Sequence, residues 1–224
     1  MISFSGACWR LPLKFLQDYT HMRAFRQLRR WQHAATHDRV VSLAHIRGRC
    51  ARGWWTIPQV EVLHVEIEKR LEALGLVLPE PMKGPPGARL PFVNVRVWDG
   101  RAYVAGHAPL NSDGAIAEPR GKVGAEVSLD QGYVAARQTA LAILGSLKRE
   151  LGDLDRVAAW LRVFGMVNVA PGFNQPPAVI NGFSDLILEL YGEEAGRHAR
   201  SAVGMAVLPF DIPVEIEAEV AIRS

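Results

Sequence analysis

The sequence predicts an α+β domain of two layers, a mixed sheet of about six strands with two helices on one face. Three observations predict it. From residue 93 onward, segments of strand period and helix period follow in the order β-β-α-β-α-β-β. Each helical segment carries a single apolar stripe, which calls for a covering surface on one side. The last segment alternates cleanly, with Val214, Ile216, Ala218, Val220 and Ile222 on one side and Glu215, Glu217 and Glu219 on the other.

A short amphipathic helix comes first, over Val65 to Gly75, with apolar residues at 67, 71 and 74 and Gly75 as its C-cap. Pro79, Pro81, Pro85 and Pro86 then enforce an extended linker. Val93 to Trp98 alternates as a strand. Asp99-Gly100 is a type I′ hairpin pair, because both positions need φ > 0, and Arg101 to Gly106 is the return strand. Ala108 to Gly124 reads as loop. Ser128 and Gln131 form a capping box for a helix that runs to Leu151 and stops at Gly152. Its expected inner face is Tyr133, Arg137, Ala140, Leu141, Leu144, Leu147 and Leu151. Val157 to Val169 is β-branched and apolar and reads as the central strand. After a turn at 170–173, Asn174 or Gln175 caps a second helix with Pro176 and Pro177 in its first turn. Val179, Ile180, Phe183, Leu186, Ile187 and Leu190 line one face, and Gly192 ends it. Strands Ala199 to Leu208 and Val214 to Ile222 close the domain. An open sheet face either meets water or pairs with a second subunit; the apolar central strand favours an oligomer.

Composition bounds the rest. The chain has 224 residues, is 49% hydrophobic and 22% charged, and has a mean hydropathy of +0.03, which suits an ordinary globular domain. No apolar run reaches the length of roughly 18 residues that a membrane helix needs. The net charge of +3 conceals an asymmetry: residues 1–56 hold ten Lys and Arg against Asp18 and Asp38, a net of +8, which leaves −5 for the remainder. The basic character therefore belongs to the first quarter and does not point to nucleic acid. Cys8 and Cys50 also fall there, so the remaining domain has no thiol chemistry, and the composition fits a reducing cytoplasm.

Residues 1–64 read as a basic extension, either poorly ordered or the product of a start assigned too far upstream. Met22 to Trp31 has the makings of a short basic helix. Competing readings are a presequence, an anion-binding or membrane-binding tail, and a metal site from His33, His37, His45 and Cys50. Residues 65–224 are the functional domain. It lacks the P-loop, dinucleotide, HExxH, GxSxG and CxxC patterns.

The stretch Arg200-Ser201-x-Val203-x-x-Ala206-x-Leu208, followed by Val214-Glu215-Ile216, resembles the signature of the Rid/YjgF family of imine and enamine deaminases, once called L-PSP endoribonucleases. Gly106 after a hairpin strand, Gly152 to Val157 before a strand, and Val179-Ile180-Asn181-Gly182 on a helix fit the same frame, over about residues 66–223. The Pro-rich entry and Pro171-Gly172-Phe173 are closer to the longer-chained branch than to archetypal RidA. The resemblance implies a chorismate-mutase-like fold and a homotrimer with clefts between subunits. It also implies hydrolysis of a small carboxylate-bearing imine to a keto acid and ammonia, without cofactor, metal, nucleic acid or membrane. By this resemblance Arg200 holds the substrate carboxylate and Glu215 positions water. A planar guanidinium suits the first task, and a carboxylate in a partly closed cleft suits the second. The family's usual cysteine is Ala202 here, its aromatic hydroxyl residue is Phe92, and its small hydroxyl is Ala105.

Each candidate has a plainer alternative. Arg200 also fits a solvated or ion-paired strand arginine, and Glu215 fits one of three acids facing water. Ser201 points away from Arg200 on an ideal strand, leaving it a backbone role. His107 fits a pocket or a surface cap, and Asn181 a cleft or a loop bond. Phe92 and Phe173 fit pocket walls or core packing. The alternatives to an enzyme are a non-catalytic trimer that binds a small carboxylate metabolite, a structural interaction protein with a vestigial cleft, and an endoribonuclease.

Overall fold

A computed structural model describes residues 41–50, 53–62, 67–83 and 91–223. The chain forms two units, Met1–Leu63 and His64–Ser224. In the first, β1 (Val41–Cys50) pairs antiparallel with β2 (Gly53–Val62), Val41 opposite Val62 and Cys50 opposite Gly53. The sequence pattern predicts no strand over 41–62. The basic helix over 22–31 and the candidate ligands His33 and His37 lie outside the described residues.

The second unit begins with α1 (Ile67–Ala73), whose Ile67 and Leu71 are buried. Gly75 adopts φ 66°, and the amides of Gly75 and Leu76 bond back to Glu72 and Leu71, closing the helix as its sequence predicts. Leu74 instead stays 43% exposed, beyond the reach of the core stripe.

The hairpin β3 (Val95–Trp98) and β4 (Arg101–His107) turns on Asp99 at φ 48° and Gly100 at φ 70°, the type I′ geometry. α2 (Leu129–Leu151) starts with both capping-box bonds, Gln131 N to Ser128 Oγ at 3.2 Å and Ser128 N to Gln131 Oε1 at 2.8 Å, and stops at Gly152 in the left-handed region. Its buried face is centred on Ala136, Ala140, Ile143, Leu144 and Leu147. Tyr133 and Arg137, expected inside, lie at the margin, where Asp185 and Glu189 accept hydrogen bonds from them.

β5 (Val157–Asn168) leads through α3 (Pro176–Gly196) to β6 (Ala199–Met205), and β7 (Val214–Ile222) ends the domain. All six predicted apolar positions of α3 are fully buried, and the helix breaks at Gly192, φ 72°. Trp160 of β5 packs edge-on to Phe183, with ring centroids 5.5 Å apart.

The sheet has five strands, ordered β3-β4-β7-β5-β6, and only β5 and β6 run parallel. This corrects two expectations. The string of elements supplies five strands rather than six. The middle strand is β7, because the parallel crossover sends β6 outside β5 and the last strand returns into the gap between β4 and β5. The helices cover the face that bears Val163, Val167, Val214, Ile216, Ala218 and Val220, all at most 5% exposed.

Candidate functional site

Arg200 lies on the edge strand β6 opposite Val163 of β5, a residue of the helix-covered face. Its side chain accordingly reaches α3. Nη1 donates to Asn181 Oδ1 at 2.9 Å and Ser184 Oγ at 2.9 Å, and Nη2 donates to Pro177 O at 3.4 Å. All three acceptors are neutral. Burial pushes the guanidinium below its ordinary pKa, opposed by the nearby Asp185 carboxylate. A half-buried cation fixed by neutral oxygens keeps its charge available to an incoming anion.

Glu215 lies on the uncovered face. Its row across the sheet is Met166 and Val203, and the next row is Glu217, Phe164 and Ser201. The three acids of β7 are not equivalent. Glu217 meets Arg162 at 3.6 Å, and Glu219 meets Arg101 at 3.9 Å and Arg162 at 4.0 Å. Among the described residues Glu215 has no cationic partner. Burial raises its pKa above the usual carboxylate range, and the charge of Glu217 raises it further.

Gly106 makes room for this carboxylate. A Cβ at 106 would lie 2.0 Å from Glu215 Oε1. The pairing of β4 with β7 slips between Val104 and His107, so one extra residue enters β4 there. Such a bulge re-aims the side chains beyond it. Gly106 turns toward Glu215, and His107 turns inward, against strict alternation. His107 is 7% exposed, with Nδ1 2.7 Å from Ala105 O and Nε2 2.8 Å from Ser146 Oγ. It is a hydrogen-bonded core residue rather than a surface cap, and burial holds its pKa below the ordinary histidine value. Arg149 Nη2 donates to the same Ser146 hydroxyl at 3.1 Å, beside a shallow cleft lined by Asn94, Val95, Ser146, Arg149 and Glu150.

The structure unites Arg200 with Asn181 and Glu215 with Gly106, but it separates the two groups. β6 and β7 both flank β5 and do not pair with each other, and the register puts Arg200 and Glu215 on opposite faces. Arg200 and Glu215 therefore do not face one cleft within a single chain. Ser201 is exposed on the face away from Arg200, as strand alternation requires. Phe92 is 56% exposed ahead of β3, and Phe173 packs half-buried against the core in the turn after β5.

Residues 68–216, two thirds of the chain and spanning both Arg200 and Glu215, match the family described as "YjgF/chorismate_mutase-like, putative endoribonuclease". The chain belongs to the YjgF family. Protein TCP17 of Trypanosoma cruzi is 38% identical over 161 residues, which is 70% of this chain and 95% of that protein. Among solved structures, the Agrobacterium tumefaciens protein Atu1372, of unknown function, is 39% identical, with a TM-score of 0.63 over 70% of this chain and 92% of its own. A Shewanella oneidensis protein called a "putative endoribonuclease" is 29% identical, with a TM-score of 0.64 over 70% of this chain and all of its own.

Two neighbours of Arg200 are not among the residues that the sequence singles out. Ser184 lies three residues beyond Asn181 on α3, and His198 two residues before Arg200. The polar stripe Asn181, Ser184 and Asp185, at helical spacing opposite the apolar one, was the available clue. Three carboxylates, Glu68, Asp153 and Asp155, place ligand atoms within 4.8 Å of one another. Each already accepts bonds from the chain, from Lys148 and Leu154 N to Glu68, from Asp155 N to Asp153, and from Ile67 N to Asp155. They fasten α1 to the turn before β5. No helix among the described residues is long and apolar enough to cross a membrane.

Proposed function

We propose that the protein hydrolyses a small carboxylate-bearing imine or enamine to a keto acid and ammonia. The observation that carries this reading is the Arg200 guanidinium. Of its five N–H groups, neutral acceptors take both on Nη1 and one on Nη2, leaving the Nε–H and one Nη2–H for a ligand carboxylate. Glu215, without a cationic partner among the described residues and held above the usual carboxylate range, suits the second task. It accepts a proton from water as the water oxygen attacks the imine carbon and passes it to the nitrogen, then takes the proton of the new hydroxyl and delivers it to the nitrogen as the C–N bond breaks, the C=O forms and ammonia leaves. Because the two residues occupy opposite faces of one chain, the complete site takes Arg200 from one copy and Glu215 from another. The homotrimer that the family resemblance implies supplies that arrangement.

The test is ammonia release from 2-iminopropionate generated in situ. Arg200→Ala loses roughly 10- to 100-fold in kcat/KM, the worth of hydrogen bonds to a charged group. Mixing Arg200→Ala with Glu215→Gln chains under subunit exchange restores part of the activity; no recovery refutes the shared site. A second reading rests on Ala202, the polar side chain missing where the family places cysteine. In that reading the trimer binds a small carboxylate without turning it over. It predicts no ammonia release, but a rise in Tm with 2-oxobutyrate that Arg200→Ala abolishes. RNA cleavage, the activity in the family's description, ranks below both, since residues 57–224 carry a net charge of −5.

A further inference from the structure

Ser184 enters the carboxylate reading only as an acceptor for Arg200, yet it also joins that anchor to His198. Ser184 Oγ lies 2.9 Å from Arg200 Nη1 and 3.0 Å from His198 Nε2, and His198 Nδ1 lies 2.8 Å from Gly196 O. A carbonyl oxygen accepts only, so Nδ1 carries a proton, and in the neutral ring Nε2 is then bare. Bare Nε2 takes the serine proton, which turns a serine lone pair toward the guanidinium. The chain runs Ser184 to His198 to Gly196 in donated protons, and Arg200 donates into its head.

The same four groups recur elsewhere in the domain. Arg149 donates to Ser146, which faces His107 Nε2, and His107 Nδ1 faces the carbonyl two residues earlier, Ala105 O. There the imidazole is core; at Arg200 it stands beside an arginine with donors to spare.

We propose that Ser184 and His198 are positioning residues that orient the Arg200 guanidinium for its anionic ligand, and that the neutral Nδ1–H form of His198 is the competent one. The proposal rests on the carboxylate reading for what Arg200 receives. Protonation of His198 reverses the Nε2 bond, turning the serine proton away from its acceptor and placing a second cation beside Arg200. Arg200 is the charge facing the ring from β6; Asp185 of α3, held by Tyr133 Oη at 2.9 Å, faces Arg200, and the Phe183 ring packs edge-on to the imidazole at 5.9 Å. Burial and Arg200 both hold the ring's pKa below its ordinary value, so the neutral form prevails at neutral pH and is lost on acidification.

Two measurements on the full chain test this. Nitrogen-15 NMR of the histidines, with His198 assigned by its absence in His198→Gln, reads the tautomer without any ligand. Nδ1–H is expected, and Nε2–H overturns the relay. Titration with 2-oxobutyrate between pH 5 and 8 then compares wild type with variants. Ser184→Ala weakens binding about tenfold with little change in Tm, and Ser184→Thr restores it. Wild-type affinity falls at the acid end, whereas His198→Gln binds without that fall. If Arg200→Ala loses binding while Ser184→Ala and His198→Gln match wild type at every pH, the relay is refuted and the clamp stands. If Arg200→Ala binds like wild type, the carboxylate reading fails and takes the role of the relay with it.

Discussion

Gly106→Ala separates the work of Glu215 from the stability of the fold. The glycine's φ lies outside the left-handed region, so alanine is acceptable to the backbone. What the new methyl group meets is the end of one side chain: Glu215 Oε1 at 2.0 Å, Cδ at 2.9 Å and Cγ at 3.2 Å. Ordinary contact distances require the carboxylate to retreat by more than about 1 Å. The obstacle is flexible, so the strands need not part, and the stability change stays within about 1 kcal/mol. A catalytic group displaced by about 1 Å loses on the order of 100-fold in rate. Ammonia release and thermal melting measured on the same preparation therefore diverge: kcat/KM falls by that factor while Tm moves by only about 2–4 °C. Activity within threefold of wild type would falsify the assignment of Glu215 to the chemistry. A collapse in Tm would refute the claim that the clash is confined to one side chain.

Glu217→Gln removes a charge that raises the proton affinity of Glu215. Since Glu215 must be ionised to accept a proton, the acid limb of kcat/KM moves to lower pH; an unmoved limb refutes the coupling. His107 is buried in its neutral form, with its folded pKa lowered. The unfolded chain takes up the proton first, so the contribution is whole above about pH 6.5 and is lost as pH falls through the folded value. Tm should drop across that window, less so in His107→Gln; parallel melting profiles contradict this. Gly182→Ala places a Cβ 2.0 Å from the Tyr133 carbonyl, a backbone atom, so α2 and α3 must separate. A cost of about 3 kcal/mol, or roughly 6–12 °C in Tm, follows. Gly172→Ala, with nothing within 4 Å at φ 85°, costs about 1–2 kcal/mol; equal losses at both positions refute the packing argument.

What could be read from the sequence is what neighbouring residues decide among themselves. The Ser128–Gln131 cap, the Asp99-Gly100 turn and the buried stripe of α3 are each set within a few residues, and all three appear where the pattern puts them. Strand order is not local. Nothing in the alternation of 214–222 says that it fits between β4 and β5, and so nothing warned that Arg200 and Glu215 face opposite ways. His107 shows how a single inserted residue defeats a period of two. Counting from Ala102 and Val104, it belongs outside; the slip in β4 brings it in and hands Gly106 to Glu215. The site was legible as two residue identities, and their surroundings were not. Ser184 and His198 enter because β6 is laid beside α3, a contact formed only once the crossover has closed.

The contact at Gly182 has a consequence for how this protein tolerates change. The two groups that hold Arg200 through Nη1, Asn181 and Ser184, flank that glycine on α3, where the helix rests directly on the main chain of α2 at Tyr133. No cushion of side chains lies between the helices at that point to absorb a displacement. Anything that lifts α2 there, including a substitution that no ligand ever touches, is transmitted to the arginine's cradle as a rigid shift. Variants with altered ligand preference are therefore to be sought along the Tyr133 turn of α2 as well as around Arg200.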